Sequence, residues 1–215
     1  MTINPRIAAL GGLALALGLV AFTFGWVGPF RAEASFRRGL ELAHQKRWRE
    51  ARIQLDRAVA LDRASAAPYV ERGRVLRSLD RTTEALEDFA RARELDPKRQ
   101  EGWAEAVDLL LALDRPEEAL ALSQDAITRH PAPDVELVLG HIRARAALGD
   151  LRNAVAELDR LIARREDCHE AFYIKGRLHR ELGERTLALS AFGAAVALAP
   201  RNADYRRSLE DVAWQ

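Results

Sequence analysis

The feature that most constrains this chain is an internal repeat of 34 residues, which covers almost everything after the first 31 positions. Successive alanines mark it at spacings of 34, 34, 35 and 34 residues: Ala51, Ala85, Ala119, Ala154 and Ala188. A second marker lies four residues further on in each copy: Leu55, Phe89, Ser123, Leu158 and Phe192. A third lies three residues beyond that: Ala58, Ala92, Ala126, Leu161 and Ala195. A fixed period of this length indicates one supersecondary unit, repeated so that neighbouring copies bury each other's apolar faces.

Each copy has the pattern of two amphipathic helices joined by a short turn. The apolar spacing predicts helices over 66–79 and 83–96 in the second copy, and over 169–182 and 186–199 in the fifth. Turn residues separate the two helices in four copies: Asp80-Arg81, Asp114-Arg115, Gly149-Asp150 and Gly183-Glu184. The segment 203–215 is predicted to be a capping helix that covers the last pair with three apolar side chains: Leu209, Val212 and Trp214.

Further positions recur in register with the alanines. One position of the first helix is a glycine in three copies: Gly39, Gly73 and Gly176. Val107 and Ile142 take the same position in the other two copies. An aromatic residue lies four positions before three of these positions: Tyr69, Trp103 and Phe172. A proline ends three of the copies: Pro97, Pro131 and Pro200. This combination resembles the tetratricopeptide repeat. The resemblance implies a right-handed α-solenoid of about five helix pairs, over about 32–65, 66–99, 100–134, 135–168 and 169–202.

Three copies depart from the pattern. The first has Ser35 at the aromatic position and Arg63 at the proline position. The third has Ser123 where a large apolar residue is usual. The fourth carries an extra residue near Pro131-Ala132-Pro133-Asp134, which we expect to shift its first helix.

A different kind of segment precedes the repeats. Residues 7–30 contain no charged side chain, and 24 helical residues span roughly 36 Å, enough to cross a hydrocarbon core of about 30 Å. We therefore predict an N-terminal flank over 1–6 and a transmembrane signal anchor over 7–30, which inserts in the lipid bilayer. Ala32-Glu33-Ala34 also resembles a signal-peptidase site, so cleavage after Ala34 is the alternative.

The charges on either side of this span give conflicting signals for its orientation. Only Arg6 precedes it, and six basic residues come closely after it: Arg31, Arg37, Arg38, Lys46, Arg47 and Arg49. The positive-inside rule favours cytoplasmic repeats, but large domains cross membranes largely regardless of charge. A short flank with one arginine is typical of bacterial anchors that export the rest of the chain. We expect a single-pass protein of the inner (cytoplasmic) membrane with periplasmic or otherwise extracytoplasmic repeats.

Charge and cysteine content disfavour several functions. Residues 31–215 hold 32 basic and 32 acidic side chains, so there is no basic excess to neutralise the phosphates of a nucleic acid. A single cysteine, Cys168, excludes an internal disulfide framework and a four-thiolate zinc site. The five histidines lack a metal-binding pattern, and Cys168 and His169 are adjacent, which points their side chains apart. The sequence therefore predicts no enzyme activity, cofactor, metal, nucleic acid or small-molecule substrate.

In tetratricopeptide arrays the first helix of each repeat lines a concave groove, which usually receives a peptide or a partner's helix. The matching positions give a candidate partner-binding groove: Phe36, Leu40, Val70, Arg74, Arg77, Asp108, Leu111, Leu139, Arg143, Tyr173, Arg177 and Arg180. A guanidinium binds a carboxylate through two parallel hydrogen bonds, so the five arginines indicate an acidic or C-terminal peptide as the ligand. The alternative is that they pair with neighbouring glutamates on a solvated face: Glu71, Glu101, Glu105, Glu136 and Glu170.

The predicted function is a membrane-anchored, non-catalytic scaffold or adaptor for protein–protein interactions at the bacterial cell envelope. Two alternatives remain open: a structural accessory subunit of a membrane enzyme complex, and a secreted soluble adaptor if the N-terminus is cleaved.

Overall fold

The computed structural model describes residues 30–214, and every regular element within that range is an α-helix. We number the helices in chain order: α1 (30–44), α2 (Trp48–Leu61), α3 (Ala67–Ser78), α4 (Thr82–Leu95), α5 (Glu101–Ala112), α6 (Pro116–Arg129), α7 (Val135–Ala147), α8 (Leu151–Arg164), α9 (His169–Glu181), α10 (Arg185–Leu198) and α11 (Ala203–Trp214). The predicted all-α fold of five helix pairs and a terminal helix is therefore confirmed for the described part of the chain.

The predicted transmembrane span over 7–30 lies outside the described residues, apart from Phe30. Among the helices within 30–214, none has both the length and the apolar character that crossing a bilayer requires.

The helices form two compact units, one that ends at Gly102 and one that starts at Trp103, within α5. In the first unit α2 packs on α3, and α3 packs on α4. In the second unit each helix from α6 to α11 packs on the next one along the chain, and α7 also contacts α9. Contacts with sequence neighbours and with the equivalent helix of the next copy are what stacked helix pairs produce.

The turn inside each pair has the same backbone conformation in all five copies. One residue per turn has a positive φ, always at the same place in the repeat: Lys46 (58°), Asp80 (62°), Asp114 (56°), Gly149 (83°) and Gly183 (76°). The N–H of the next residue donates to the carbonyl oxygen five positions earlier, as from Arg81 to Leu76 at 2.9 Å and from Glu184 to His179 at 2.8 Å. This hydrogen bond belongs to the Schellman motif, which ends a helix and satisfies a terminal carbonyl group.

Within three copies the two helices approach through a contact between a glycine and a large apolar side chain. A Cβ atom added at Gly39 would lie 2.8 Å from Leu55 Cγ, and one at Gly176 would lie 2.6 Å from Phe192 Cδ1. At Gly73 the corresponding distance to Phe89 Cε1 is 2.5 Å. These separations are shorter than carbon–carbon contact, so only glycine lets the large residue fill the space between the helices.

The third copy exchanges the large and the small member of this pair. Val107 takes the place of the glycine and Ser123 the place of the large residue, and both are fully buried. Val107 packs against α7, where a Cβ atom added at Gly140 would lie 2.9 Å from Val107 Cγ1. The side chain of Ser123 is contacted from α7, where His141 Nδ1 lies 3.0 Å from Ser123 Oγ.

The extra residue of the fourth copy lies at the beginning of α7, because the connection 130–134 is as long as 62–66 and 96–100, whereas α7 has 13 residues and α3 and α5 have 12. α7 begins at Val135, and Ile142 reaches the position of the glycine in the same core cluster as Ala154 and Leu158. From Ile142 onward α7 keeps the register of the other copies, since it ends five residues after this position, as α3 and α5 do.

α11 closes the last helix pair, and both of its ends are hydrogen-bonded. Asn202 Oδ1 accepts from the backbone N–H groups of Asp204 and Tyr205 at the beginning of the helix. At its end, Arg185 of α10 donates to the carbonyl oxygens of Val212 and Ala213. These bonds satisfy terminal groups that the helix itself leaves without partners.

Two of the three side chains that were predicted to cover the last pair do so. Val212 is buried and Leu209 packs beside it against Phe192. Trp214 does not cover the pair, because 89% of its surface is exposed. It comes two residues after Val212, which turns it about 200° around the helix axis.

Replacing Gly176 with alanine should destabilise the second unit, because the added methyl group overlaps the Phe192 ring. Overpacking of this kind lowers the free energy of unfolding by about 1–3 kcal/mol. Gly193 on α10 is the matched control, since a Cβ atom there meets nothing within 4 Å. The change Gly193→Ala should raise the stability by about 0.5–1 kcal/mol through helix propensity. Urea denaturation followed by circular dichroism measures both, and equal effects of the two substitutions would contradict the contact.

Candidate partner-binding surface

In the first unit the candidate groove residues lie on α1 and α3. Phe36 is half-buried against the core cluster that contains Leu55, and Leu40 is also half-buried. Val70 is 3% exposed and belongs to a core cluster with Val59 and Ala92. Its placement corrects the prediction, because Val70 fills the core and presents almost no surface to a ligand.

The arginines of the first unit differ in exposure. Arg74 is partly exposed, and its Nη1 donates to Glu71 Oε1 at 2.5 Å, three residues earlier on α3. Arg77, one turn further along, is exposed. Arg74 therefore makes the predicted pair between a groove arginine and a neighbouring glutamate.

In the second unit two of the predicted groove residues pair with each other. Arg143 Nη2 on α7 donates to Asp108 Oδ1 on α5 at 2.8 Å, and Arg143 Nε donates to the carbonyl oxygen of Leu139 at 3.3 Å. Leu111 is half-buried. Leu139, only 1% exposed, lies in the core cluster of α7, α8 and α9, so it too is corrected from a groove residue to a core residue.

Tyr173 on α9 is held in an aromatic stack. Its ring lies 4.6 Å from that of Tyr205 at an angle of 26°, and 5.7 Å from that of Phe192. Ser208 Oγ donates to the Tyr173 hydroxyl at 3.4 Å, and His169 Nδ1 lies 3.0 Å from the Tyr205 hydroxyl. These contacts leave the Tyr173 side chain half-buried and fixed in position.

Arg177 and Arg180 lie on the same helix, one and two turns beyond Tyr173. Both are exposed, and within 30–214 neither side chain makes an ion pair or a hydrogen bond. Residues three apart on a helix lie on the same face, so the two guanidinium groups present their donors side by side. Of the predicted arginines, this pair has the donors that a carboxylate ligand needs.

A buried ion pair in the first unit has no counterpart among the sequence predictions. Arg72 donates to both carboxylate oxygens of Asp88 at 2.7 Å and to Asp56 at 3.0 Å. Burial raises the pKa of Asp88, an effect that the hydrogen bonds from Arg72 oppose. The same bonds hold the pKa of Arg72 above its ordinary value. The sequence signal for this ion pair was Arg72 itself, a charged residue on a face of α3 whose other side chains pack inward.

A second buried polar cluster joins α6, α7 and α8. His141 is 5% exposed, its Nδ1 lies 3.0 Å from Ser123 Oγ, and its Nε2 lies 3.6 Å from Glu157 Oε2. Arg145 contacts the same carboxylate through Nε at 3.4 Å. Burial lowers the pKa of His141, Glu157 opposes that effect, and Arg145 adds to it. Because Ser123 has no exposed surface, this serine, histidine and glutamate form part of the packing.

Cys168 lies in the connection after α8, and His169 is the first residue of α9. They line an open depression of about 530 Å³ with side chains from the connection before α7, including Asp134. Among the described residues, no three His, Cys, Asp or Glu side chains are placed to hold a metal ion. His179 is buried, and its Nδ1 lies 2.7 Å from Glu184 Oε2.

The repeat geometry is matched by comparison with known proteins. The family model of the tetratricopeptide repeat matches residues 70–134 and 139–203, more than half of the chain. This chain belongs to the tetratricopeptide repeat family. No curated protein sequence matches it.

Solved structures of other proteins share this fold at low sequence identity. TTC0263, a thermophilic protein from Thermus thermophilus, is 22% identical with a TM-score of 0.72, over 86% of this chain and 100% of that chain. PilW, a type IV pilus biogenesis factor, is 20% identical with a TM-score of 0.75, over 85% and 84%. YrrB, which has an unusual peptide-binding site, is 20% identical with a TM-score of 0.59, over 82% and 90%.

The stability of this tetratricopeptide repeat protein should fall as the pH drops below about 6.5, partly because of His141. The folded state holds the pKa of His141 below its ordinary value, so the unfolded chain binds this proton more readily. Stability from the neutral ring is therefore present above about pH 6.5 and is lost as the pH falls toward the folded-state pKa. The change His141→Gln should flatten the pH dependence of the urea midpoint between about pH 7 and pH 5. The exposed His44→Gln is the control, and an identical slope in both variants would contradict the assignment.

Proposed function

We propose that this tetratricopeptide repeat protein is a membrane-anchored, non-catalytic scaffold of the bacterial cell envelope. In this proposal residues 7–30 anchor it in the inner membrane, and the repeats lie on the extracytoplasmic side and bind a protein partner. The observation that carries the proposal is the pair of exposed, unpaired arginines, Arg177 and Arg180, beside the fixed Tyr173 ring on α9. The uncharged length of residues 7–30 supports the anchor.

The partner that this surface fits is an acidic segment or a free C-terminus. Two guanidinium groups on one helical face offer several N–H donors to carboxylate oxygens, in a geometry that favours paired hydrogen bonds. The aromatic stack of Tyr173 adds a rigid apolar surface, which loses little conformational entropy when a ligand binds. Arg143 contributes less, because it already pairs with Asp108.

Two of the proteins with similar structures support this role, although what is stated of each applies to that protein alone. PilW is a pilus biogenesis factor, and YrrB has an unusual peptide-binding site. An anchored scaffold also gains from its location, since tethering to the membrane raises the effective concentration of the repeats near membrane-bound partners.

Reversing both charges on α9 should release the partner. Tagged full-length chain is used to isolate partners from native membranes, and each is quantified by mass spectrometry for the wild type and for Arg177→Glu/Arg180→Glu. We expect at least a roughly tenfold loss of the specific partner, which corresponds to about 1.4 kcal/mol.

The matched control is Arg160→Glu/Arg164→Glu on α8, which removes two other exposed and unpaired arginines of the described part of the second unit. Unchanged recovery of every partner by the α9 variant would refute the arginine surface. A partner lost equally in both variants would mean that net charge, and not the α9 surface, controls binding.

Three measurements separate this proposal from its alternatives. The intact mass of the chain in the membrane fraction tests the anchor, because loss of residues 1–34 would indicate a secreted adaptor. Protease added outside the inner membrane should digest the repeats, and digestion only after lysis would place them in the cytoplasm. A stoichiometric complex that resists salt in native mass analysis would favour an accessory subunit of a membrane enzyme.

A further inference from the structure

The beginning of α1 and the end of α2 form an exposed apolar depression that also carries basic side chains. Six residues of α1 and α2 line this depression of about 570 Å³, and we call them the end surface: Arg31, Ala34, Ser35, Arg57, Ala60 and Leu61. Leu61 is 46% exposed, and Phe30, the residue before Arg31, is 67% exposed. Large apolar side chains exposed together commonly mark a surface that contacts another molecule or a membrane.

The first copy also carries most of the basic excess of the repeats. Residues 31–65 hold nine basic and five acidic side chains, whereas residues 66–215 hold 23 basic and 27 acidic ones. Six of the nine basic side chains make no ion pair with any residue that the structure describes: Arg31, Lys46, Arg49, Arg52, Arg57 and Arg63. Residues 1–29 contain no Asp or Glu, so they supply no side-chain partner either. This excess leaves the first copy with guanidinium and ammonium donors that an anionic partner from outside the chain can bind.

The position of the end surface places it near the membrane if residues 7–30 are the anchor. Phe30 is both the last residue of the predicted span and the first described residue of α1, so no linker separates the two. At 1.5 Å per residue, Ala34 and Ser35 lie about 6–8 Å from Phe30 along α1. The headgroup layer on each side of a bilayer is about 5–8 Å thick. A helix that continues the anchor through Phe30 therefore holds Arg31, Ala34 and Ser35 at the level of the lipid headgroups.

We propose that the end surface rests on the bilayer and binds anionic phospholipid headgroups. This inference rests on the proposed anchor. Arg31 and Arg57 donate hydrogen bonds to lipid phosphates, while Phe30 and Leu61 enter the boundary between the headgroups and the acyl chains. Each basic side chain near an anionic surface contributes to the attraction, and the apolar side chains add buried area.

Other occupants of this surface fit its charge less well. A second copy of the chain, joined through the same surface by two-fold symmetry, would bring a second basic patch against the first. Residues 1–29 offer no carboxylate to the arginines. Anionic lipid matches both the apolar and the basic part of the surface.

The test uses the full chain in nanodiscs of phosphatidylcholine, with or without phosphatidylglycerol. A polarity-sensitive fluorophore is attached to Ala60→Cys in a Cys168→Ser background, since Cys168 is the only native cysteine. The same fluorophore on the exposed Ala197→Cys of α10 is the positional control. We expect a blue shift at position 60 when phosphatidylglycerol is present, a loss of that shift at high salt, and no lipid dependence at position 197.

Charge reversal provides the second measurement. Arg31→Glu/Arg57→Glu should abolish the blue shift, while Arg160→Glu/Arg164→Glu on α8 should preserve it, and circular dichroism checks that both variants keep their helices. Release of the chain by alkaline carbonate would overturn the anchor and this inference together. A chain that stays in the membrane with the same spectrum in both lipids would overturn the lipid contact alone. A shift that depends on protein concentration and not on lipid charge would assign the surface to a second copy and overturn the proposal.

Discussion

The close approach of two helices through a glycine is the contact on which this structure depends. In three of the five copies a large side chain of the second helix lies against a glycine of the first, at distances that leave no room for a methyl group. The contact fixes the separation and the rotation of each helix about its axis. It therefore decides which side chains point into the core and which lie on the exposed face of the first helix, where Arg177 and Arg180 are found.

The third and fourth copies show how the interior tolerates a change of this contact. Val107 and Ser123 exchange the large and small positions, and His141 of the next helix forms a polar contact with Ser123. A buried hydroxyl group and a buried imidazole each need a hydrogen-bond partner, and Ser123 and His141 provide one for each other. The substitution is local because each copy contacts only its neighbours.

The arginines illustrate how much of the candidate surface the sequence reveals. Repeat position placed all five on first helices, but it did not distinguish those with intramolecular partners. Arg143 pairs with Asp108, 35 residues away, and Arg74 pairs with Glu71 on its own helix. Arg177 and Arg180 have no such partner in the described part of the chain, because no carboxylate of a neighbouring helix reaches them. Val70 and Leu139 were assigned to the groove by the same rule, and their burial shows that repeat position alone does not fix exposure.

The sequence alone determined the all-helical fold, the five helix pairs and helix ends accurate to one residue in the two copies predicted in detail. These properties result from the period and from local apolar spacing, which act within one copy. The tertiary structure decided which charges are paired, where the extra residue of the fourth copy is accommodated, and why Trp214 is exposed. Those properties depend on side chains from different helices that meet only after packing, and on rotation about a helix axis, which the repeat period does not specify.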